Sequence, residues 1–402
     1  MVTSYPPIQT GESTYAQSYA HALKTHLGKE ITEIYVLSHI DSKEKKTSDI
    51  DDSKIKIYRL FDSDKFFSKN LSFLKIFRKI RQIHPDIVHF HYPPIPKNKF
   101  GGILGEPLIL LFIMLKITKT PFVVTLHSIW YPDEVEKRAY ELTGNKILSK
   151  MAKQYFKMLM YFFGILPNKL FLMVSSKNSR LIQAFSDAYH VPRKRLKEEL
   201  HGLTRTEYVK TDYQMDARKI VCLGFIVPNK GYRYVVMAMK KVLEKIPDAS
   251  LVIAGSTFSD EGREYFEELR NMVSENSLER SVKLEERYLS QQEFTDYIKS
   301  SGIVIVPYLR VLGVSGIMTI AISHKVPVIA TCSGALFEEI SDIVSVIPPE
   351  NVDILADEII KILGSKEYSM SIVNNYEKYI FDHDWALVTR DNYHEYVNTK
   401  NE

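Results

Sequence analysis

Leu223-Gly224-Phe225-Ile226-Val227-Pro228-Asn229-Lys230-Gly231-Tyr232 is the stretch from which the fold can be read. It continues a short apolar strand at 220–223, turns on Pro, Asn and Gly, and opens a helix over 232–245. Strand, turn and helix in that order make the repeating unit of an open parallel sheet. Lys230 sits in the turn, beyond the carboxyl end of the strand, which is where such sheets bind ligands. A point-charge cation there can stabilise a departing diphosphate. The spacing is not the Gly-x4-Gly-Lys-Ser/Thr of a P-loop.

Working outward from this turn, the alternation continues in both directions. Downstream the sequence predicts strands at 250–254, 282–285, 303–306 and 328–331, with helices at 260–276, 291–300 and 315–323. Upstream it predicts strands at 33–37, 55–58, 87–90, 122–126 and 170–174, each nearly continuous in apolar residues, as parallel strands covered on both faces are. Helices are expected at 13–26, with Ser13 as N-cap, at 70–83, and over the long stretch 134–164. The charged segment 41–53 reads as a solvated loop. The pattern therefore occurs twice, with a boundary near 202–212. The fold class is α/β, with two Rossmann-like doubly wound parallel-sheet domains and a ligand cleft expected between them.

A length of 402 residues suits two domains, and 45% hydrophobic with 25% charged residues suits a soluble globular protein. A net charge of +4 is too small for a general nucleic-acid binder. Cys222 and Cys332 have no metal-ligand spacing and make no disulfide framework, so a reducing, cytoplasmic setting is expected. The start of the chain has no signal-peptide pattern. The most apolar run, 103–117, carries Glu106, Pro107 and Lys116, is too short to cross a bilayer, and reads as a buried helix.

Several residues could carry chemistry. Gly11 opens a helix, where a ligand could approach the backbone closely, or it is a turn residue only. His127 follows a buried strand on the ligand side and can donate to a sugar hydroxyl or a phosphate. His89 and His91 have no third partner for a metal. Pro307-Tyr308-Leu309-Arg310 leads through Gly313 to Ser315-Gly316 at a helix start, whose backbone N–H groups suit a phosphate, with Arg310 as a charged donor. Asp62-Ser63-Asp64 resembles a metal-binding Asp-x-Asp but reads as surface. Lys146, Lys150, Lys153 and Lys157 fall near one side of a helix among aromatic residues. Residues 146–163 thus read either as a membrane-surface contact or as a core helix with a solvated lysine face.

Taken in order, these pieces resemble glycosyltransferase family 4, the retaining group 1 glycosyltransferases of GT-B fold, along nearly the whole chain. Tyr5-Pro6-Pro7 with Gly11 is similar to the first loop of that family. Pro85-Asp86-Ile87-Val88-His89-Phe90-His91 and Val123-Val124-Thr125-Leu126-His127 are similar to its N-domain strands. Gly224 with Pro228-Asn229-Lys230-Gly231 resembles its donor motif. Residues 251–255, 288–293 and 327–338 fit its C-domain, and 381–385 with Tyr393 and Tyr396 resembles the terminal helix that crosses back to the N-domain.

The resemblance implies an N-terminal acceptor domain over 1–205, a nucleotide-sugar domain over 206–380, and a C-terminal helix over 381–402 that packs back on the first. It implies transfer of a sugar from a UDP- or GDP-sugar to a hydroxyl acceptor of a glycan, glycolipid or polysaccharide, with retention. No metal, no other cofactor, no nucleic acid and no protein nucleophile are implied. Lys230 and His127 are the implied catalytic residues. Gly11, Gly224, Lys230, Arg310, Ser315, Gly316 and Glu338 are the implied donor-binding residues. The acceptor is expected to be lipid-linked or membrane-associated, with the protein peripheral on the inner face of the membrane. Two features depart from the family pattern. The Arg that often lies between the Gly and the Lys is replaced by Phe225-Ile226-Val227, and the second of two glutamates eight residues apart would fall near Ile320. A binding or scaffold subunit is therefore the alternative, and a nucleotide-sugar 2-epimerase is a third reading without residues that favour it.

Overall fold

The computed structural model describes residues 1–40, 48–52, 55–61, 66–92, 107–177, 179–204, 217–309, 314–331 and 340–401. The chain divides into two compact units, Met1–Leu200 together with Trp385–Glu402, and His201–Asp384.

In the first unit the described elements are α1 (Gly11–Leu27), β1 (Ile34–His39), β2 (Ser48–Asp52), β3 (Ile55–Phe61), α2 (Phe66–Ile83), β4 (Val88–Tyr92), α3 (Pro107–Ile117), β5 (Phe122–Leu126), α4 (Pro132–Thr143), α5 (Lys146–Ile165), β6 (Lys169–Val174), α6 (Arg180–Tyr189) and β7 (Leu196–Leu200). The strands run β2-β3-β1 and β4-β5-β6-β7, all parallel except β2. Val2 lies between the two groups. Its N–H donates to His89 O at 2.8 Å and its carbonyl accepts from His91 N at 3.0 Å, while Met1 O and Leu37 O bond the same segment to β1. Every residue of β5 is buried, as both-sided helical cover requires.

In the second unit the elements are β8 (Lys219–Leu223), α7 (Tyr232–Lys245), β9 (Ser250–Gly255), α8 (Asp260–Glu275), β10 (Val282–Glu286), α9 (Gln291–Lys299), β11 (Ile303–Val306), α10 (Gly316–Ser323), β12 (Val328–Thr331), β13 (Ser345–Ile347), α11 (Val352–Gly364), α12 (Lys366–Asn374) and α13 (Tyr376–Asp382). The sheet order is β10-β9-β8-β11-β12-β13, all parallel. Counted within the unit this is the 3-2-1-4-5-6 order of a Rossmann sheet, whose strand order reverses between β8 and β11. The last element, α14 (Trp385–Asn401), packs on α1 in the first unit.

Four local expectations are corrected. The stretch 134–164 is two helices, because Gly144 takes the left-handed conformation (φ 63°) and Asn145 caps α5 by accepting from Ile147 N and Leu148 N. Thr10 rather than Ser13 caps α1, accepting from Ser13 N at 3.1 Å. Part of the charged segment 41–53 forms β2, which returns antiparallel onto β3, so a ladder of backbone bonds overrides its composition. The apolar run ending in α3 is not wholly buried: Leu110, Ile113 and Ile117 are exposed.

Candidate functional site

In the second unit the loops after β8 and β11 meet where the strand order reverses. Gly224 ends β8 with φ 115°, and a Cβ on Gly255 would come 1.7 Å from Gly224 O, so the ends of β8 and β9 approach to backbone contact. Pro228–Lys230 forms a single 3₁₀ turn that closes on Gly231. Gly231 has φ 66°, and a Cβ there would lie 2.0 Å from Pro307 O. This glycine is what lets the β8 loop touch the β11 loop, and Leu309 N donates to Asn229 O at 2.9 Å across the same contact.

The consequence is a fixed place for Lys230. Its Nζ lies 3.5 Å over the Tyr308 ring, a cation–π contact. The Tyr308 hydroxyl is 3.3 Å from Ser315 Oγ, and Thr331 Oγ1 donates to Tyr308 O at 2.5 Å. Ser315 caps α10, accepting from Met318 N, so Gly316 stands in the first turn, where backbone N–H groups have no partner within the helix. Cation and helix start are thereby joined through one tyrosine, an arrangement that suits a phosphate or diphosphate.

Three neighbours were not singled out as site residues in the sequence. A Cβ at Gly316 would lie 3.9 Å from Nε2 of His201, whose burial lowers its pKa to about 4 and whose Nδ1 is 3.0 Å from Gly202 O. At the ends of β8 and β9, Phe225 and Phe258 pack edge to face at 4.9 Å, with Phe258 exposed. Arg310 and Glu338, together with Gly313, Cys332 and Asp62-Ser63-Asp64, lie outside the described residues.

In the first unit His127 follows β5 directly, and its N–H donates to Tyr92 O. His127 Nε2 is 3.1 Å from His91 Nδ1, and the Tyr15 ring meets His127 edge-on at 4.9 Å. Gly11 opens α1, and nothing beyond its chain neighbours and its own helix lies within 4 Å of where a Cβ would stand. His91 packs on His89 at 4.1 Å between ring centres, and its own Nε2 is buried without a partner.

Behind these histidines lies a closed circuit of buried hydrogen bonds. Asn392 Nδ2 donates to Glu199 Oε1 at 2.8 Å and to the Tyr19 hydroxyl at 3.1 Å. The Tyr19 hydroxyl lies 2.5 Å from that of Tyr396, which lies 2.6 Å from His89 Nδ1. His89 Nε2 lies 2.6 Å from Thr125 Oγ1, which donates to Glu199 Oε2, and Tyr15 donates to Glu199 Oε1 at 3.2 Å. One proton per bond closes the circuit when Glu199 is ionised and His89 is neutral with its proton on Nε2. Burial pushes Glu199 up to about 7, against three donors that favour the charge, and burial pushes His89 and His91 well down.

Among the described residues no three His, Cys, Asp or Glu converge as a metal site. His89 is instead committed to the circuit. Cys222 is a buried thiol, raised by desolvation.

Two Rossmann-like units of this kind define the GT-B class of fold. Residues 217–365 match the family described as glycosyl transferases group 1, and the matched region carries Lys230, Tyr308, Ser315 and Gly316. An uncharacterized glycosyltransferase of Methanocaldococcus jannaschii is 32% identical over 180 residues, a match covering 42% of this chain and 43% of that relative. The chain is thus aligned with less than half the length of that relative. Among solved structures, sucrose-phosphate synthase from Thermosynechococcus elongatus is similar with a TM-score of 0.69 at 14% identity, over 97% of this chain and 93% of that one. HepE of Anabaena, in complex with UDP and glucose, is similar with a TM-score of 0.70 at 12% identity, over 99% and 98%.

Proposed function

We propose that this protein is a retaining glycosyltransferase of family 4 that moves a sugar from a UDP- or GDP-sugar to a hydroxyl acceptor. The observation that carries the reading is the joining of Lys230 to the start of α10 through Tyr308, at the reversal of a Rossmann sheet in the region matched to group 1 glycosyl transferases. The Anabaena relative of the same fold was solved with UDP and glucose, which supports a nucleotide-sugar donor here.

In this reading the donor diphosphate lies between Lys230 and the N–H groups at Ser315-Gly316. As the glycosidic bond breaks, negative charge grows on the phosphate oxygens, and the ammonium and N–H dipoles stabilise it. The leaving diphosphate takes the acceptor proton. No metal and no protein nucleophile enters the proposal. Gly11 and Gly224 leave room for the donor beside the backbone, Arg310 and Glu338 complete the donor site, and His127 hydrogen-bonds the transferred sugar. The exposed Phe258 offers a face on which a base can stack. The acceptor in this proposal is a hydroxyl on a lipid-borne glycan or glycolipid, reached by a peripheral enzyme in the cytoplasm.

The test is a thermal-shift panel of UDP, GDP, ADP and their sugars on wild type and Lys230→Ala. One nucleotide should raise the midpoint, and the rise should be lost in the variant. No shift with any nucleotide would overturn the donor assignment. Binding without turnover on any acceptor would point to a scaffold subunit, and release of UDP without an acceptor to epimerisation. The anomeric configuration of the product, read by NMR, decides retention.

A further inference from the structure

Helix α5 has two apolar faces. One is the expected one: Phe156, Leu159, Met160 and Phe163 are buried in the first unit, and Gly164 is packed so closely that a Cβ would lie 2.3 Å from Val191. The other looks outward. Ile147 is 72% exposed, Met151 62%, Met158 50% and Tyr161 39%. At about 100° per residue these four fall within roughly 80° of one another, on the side opposite the buried set. An outward stripe of large apolar side chains costs solubility and is not needed to hold the helix, whose other face already does so.

Gly144 makes the turn of the α4–α5 hairpin, and Tyr140 and Leu142, in the last turn of α4, are exposed as well. Along one edge runs a second stripe, Lys146, Lys150 and Lys157, each one residue before an apolar position of the outward face. Helix α5 contains no Asp or Glu. Lys153 belongs to the same sequence pattern but is drawn aside, its Nζ 2.5 Å from Asp133 and 2.8 Å from Glu136 of α4. The other three lysines have no ion-pair partner among the described residues.

We propose that this outward face of α5, with the hairpin tip, docks on an anionic lipid surface, the helix lying in the plane of the interface. Ile147, Met151, Met158 and Tyr161 would enter the headgroup–acyl boundary, while Lys146, Lys150 and Lys157 reach sideways to lipid phosphates. The charge pattern selects this occupant over a second copy of the chain. The edge opposite the lysines carries Leu148, Tyr155 and Phe162, so self-pairing would set ammonium groups against apolar side chains if parallel and against each other if antiparallel. Among the described residues no helix is long and apolar enough to cross a membrane. The inference deepens the proposed function, since it puts the enzyme where a lipid-borne acceptor is found, but its argument uses only the surface of α5.

The experiment is co-sedimentation of the full chain, without substrate, with vesicles of phosphatidylcholine alone or with 30% phosphatidylglycerol (~30 mol% brings the surface near the anionic range of biological leaflets). Binding should require phosphatidylglycerol and weaken in high salt. The double variant Ile147→Glu/Met151→Glu should lose it while keeping the wild-type thermal midpoint. Lys146→Gln/Lys150→Gln/Lys157→Gln should weaken it by roughly a hundredfold, about 1 kcal/mol for each lysine near an anionic surface. Failure of the wild type to bind, unchanged binding by either variant, or a dimer in solution that the Glu variant dissolves would each overturn the proposal. The nucleotide shift of the same preparations is read separately, so failure here is distinguishable from failure of the donor assignment.

Discussion

His89 Nδ1 lies 2.6 Å from the Tyr396 hydroxyl, bonding a strand inside the first unit's sheet to a helix 307 residues later in the chain. Tyr15, Tyr19, Thr125 and Asn392 complete the arrangement around Glu199, and His91 and His127 pack against its edge. The candidate histidine of the first unit is therefore held by residues from both ends of the chain.

Asn392→Ala removes two donors at once and leaves Glu199 and Tyr19 each short of a partner inside the protein. The expected loss of stability is about 1–3 kcal/mol, the cost of an unmet buried polar group. Lys197→Ala, which breaks contacts to Asp391 and Glu395 at 3.7 and 3.6 Å at the rim, should cost about 1 kcal/mol or less. Urea denaturation followed by tryptophan fluorescence compares the two, and equal losses would show that the circuit is no stronger than its rim.

Glu199 holds its proton in the folded state up to about 7, against 4.5 for an ordinary Glu, so its contribution is whole below 4.5 and is lost as pH rises through 7. His89 and His91, pushed well below 6.5, act oppositely and favour the fold as pH rises towards 6.5. Glu199→Gln deletes only the first effect. The stability of the variant relative to wild type should therefore climb between pH 4.5 and 7, with a slope of up to about 1.4 kcal/mol per pH unit. A flat difference across that window would mean that Glu199 ionises normally.

Gly231→Ala places a methyl 2.0 Å from Pro307 O at a φ of 66°, so the β8 and β11 loops must part. The conformational strain alone is about 1–2 kcal/mol. The variant should melt earlier and lose nucleotide binding. A wild-type melting midpoint with unchanged nucleotide affinity would show that the two loops do not depend on their contact.

Lys230→Ala should reduce turnover on the order of a hundredfold or more, as removal of a preorganised donor to a developing oxyanion does, with little change in melting temperature. The side chain is only partly buried and its neighbour Tyr308 is held independently by Thr331. Steady-state kinetics with the donor found in the nucleotide panel gives the answer, and turnover within a few-fold of wild type would remove Lys230 from the reaction.

The sheet of the second unit was legible because its strands are short, apolar and separated by clear turns. Residues 232–245, 303–306 and 328–331 begin and end where the sequence places them. The first unit was read less completely. Val2 acts as a strand through one isolated bridge on either side, which no periodicity announces, and β7 carries Lys197, Glu198 and Glu199 within a strand that reads as polar. Those charges are tolerated because Glu199 meets donors from β5, α1 and α14, partners far off in sequence. Lys230, Ser315 and Gly316 could be found as separate motifs, but Tyr308, which joins them, could not. Its role follows from the contact at Gly231, a matter of tertiary distance.

The first unit does not end where the chain leaves it at Leu200. Asn392 and Tyr396 come after the whole second unit in the sequence, and the segments at its two ends run side by side, Leu203 N donating to His383 O at 2.8 Å. A ribosome making this protein must therefore synthesise the second unit before the first can close its core. Until the last residues emerge, Tyr19, His89 and Glu199 lack their α14 partners, so a fragment ending near residue 200 should behave as an incomplete domain, open to proteases and aggregation. The order of synthesis makes the early unit the last to mature.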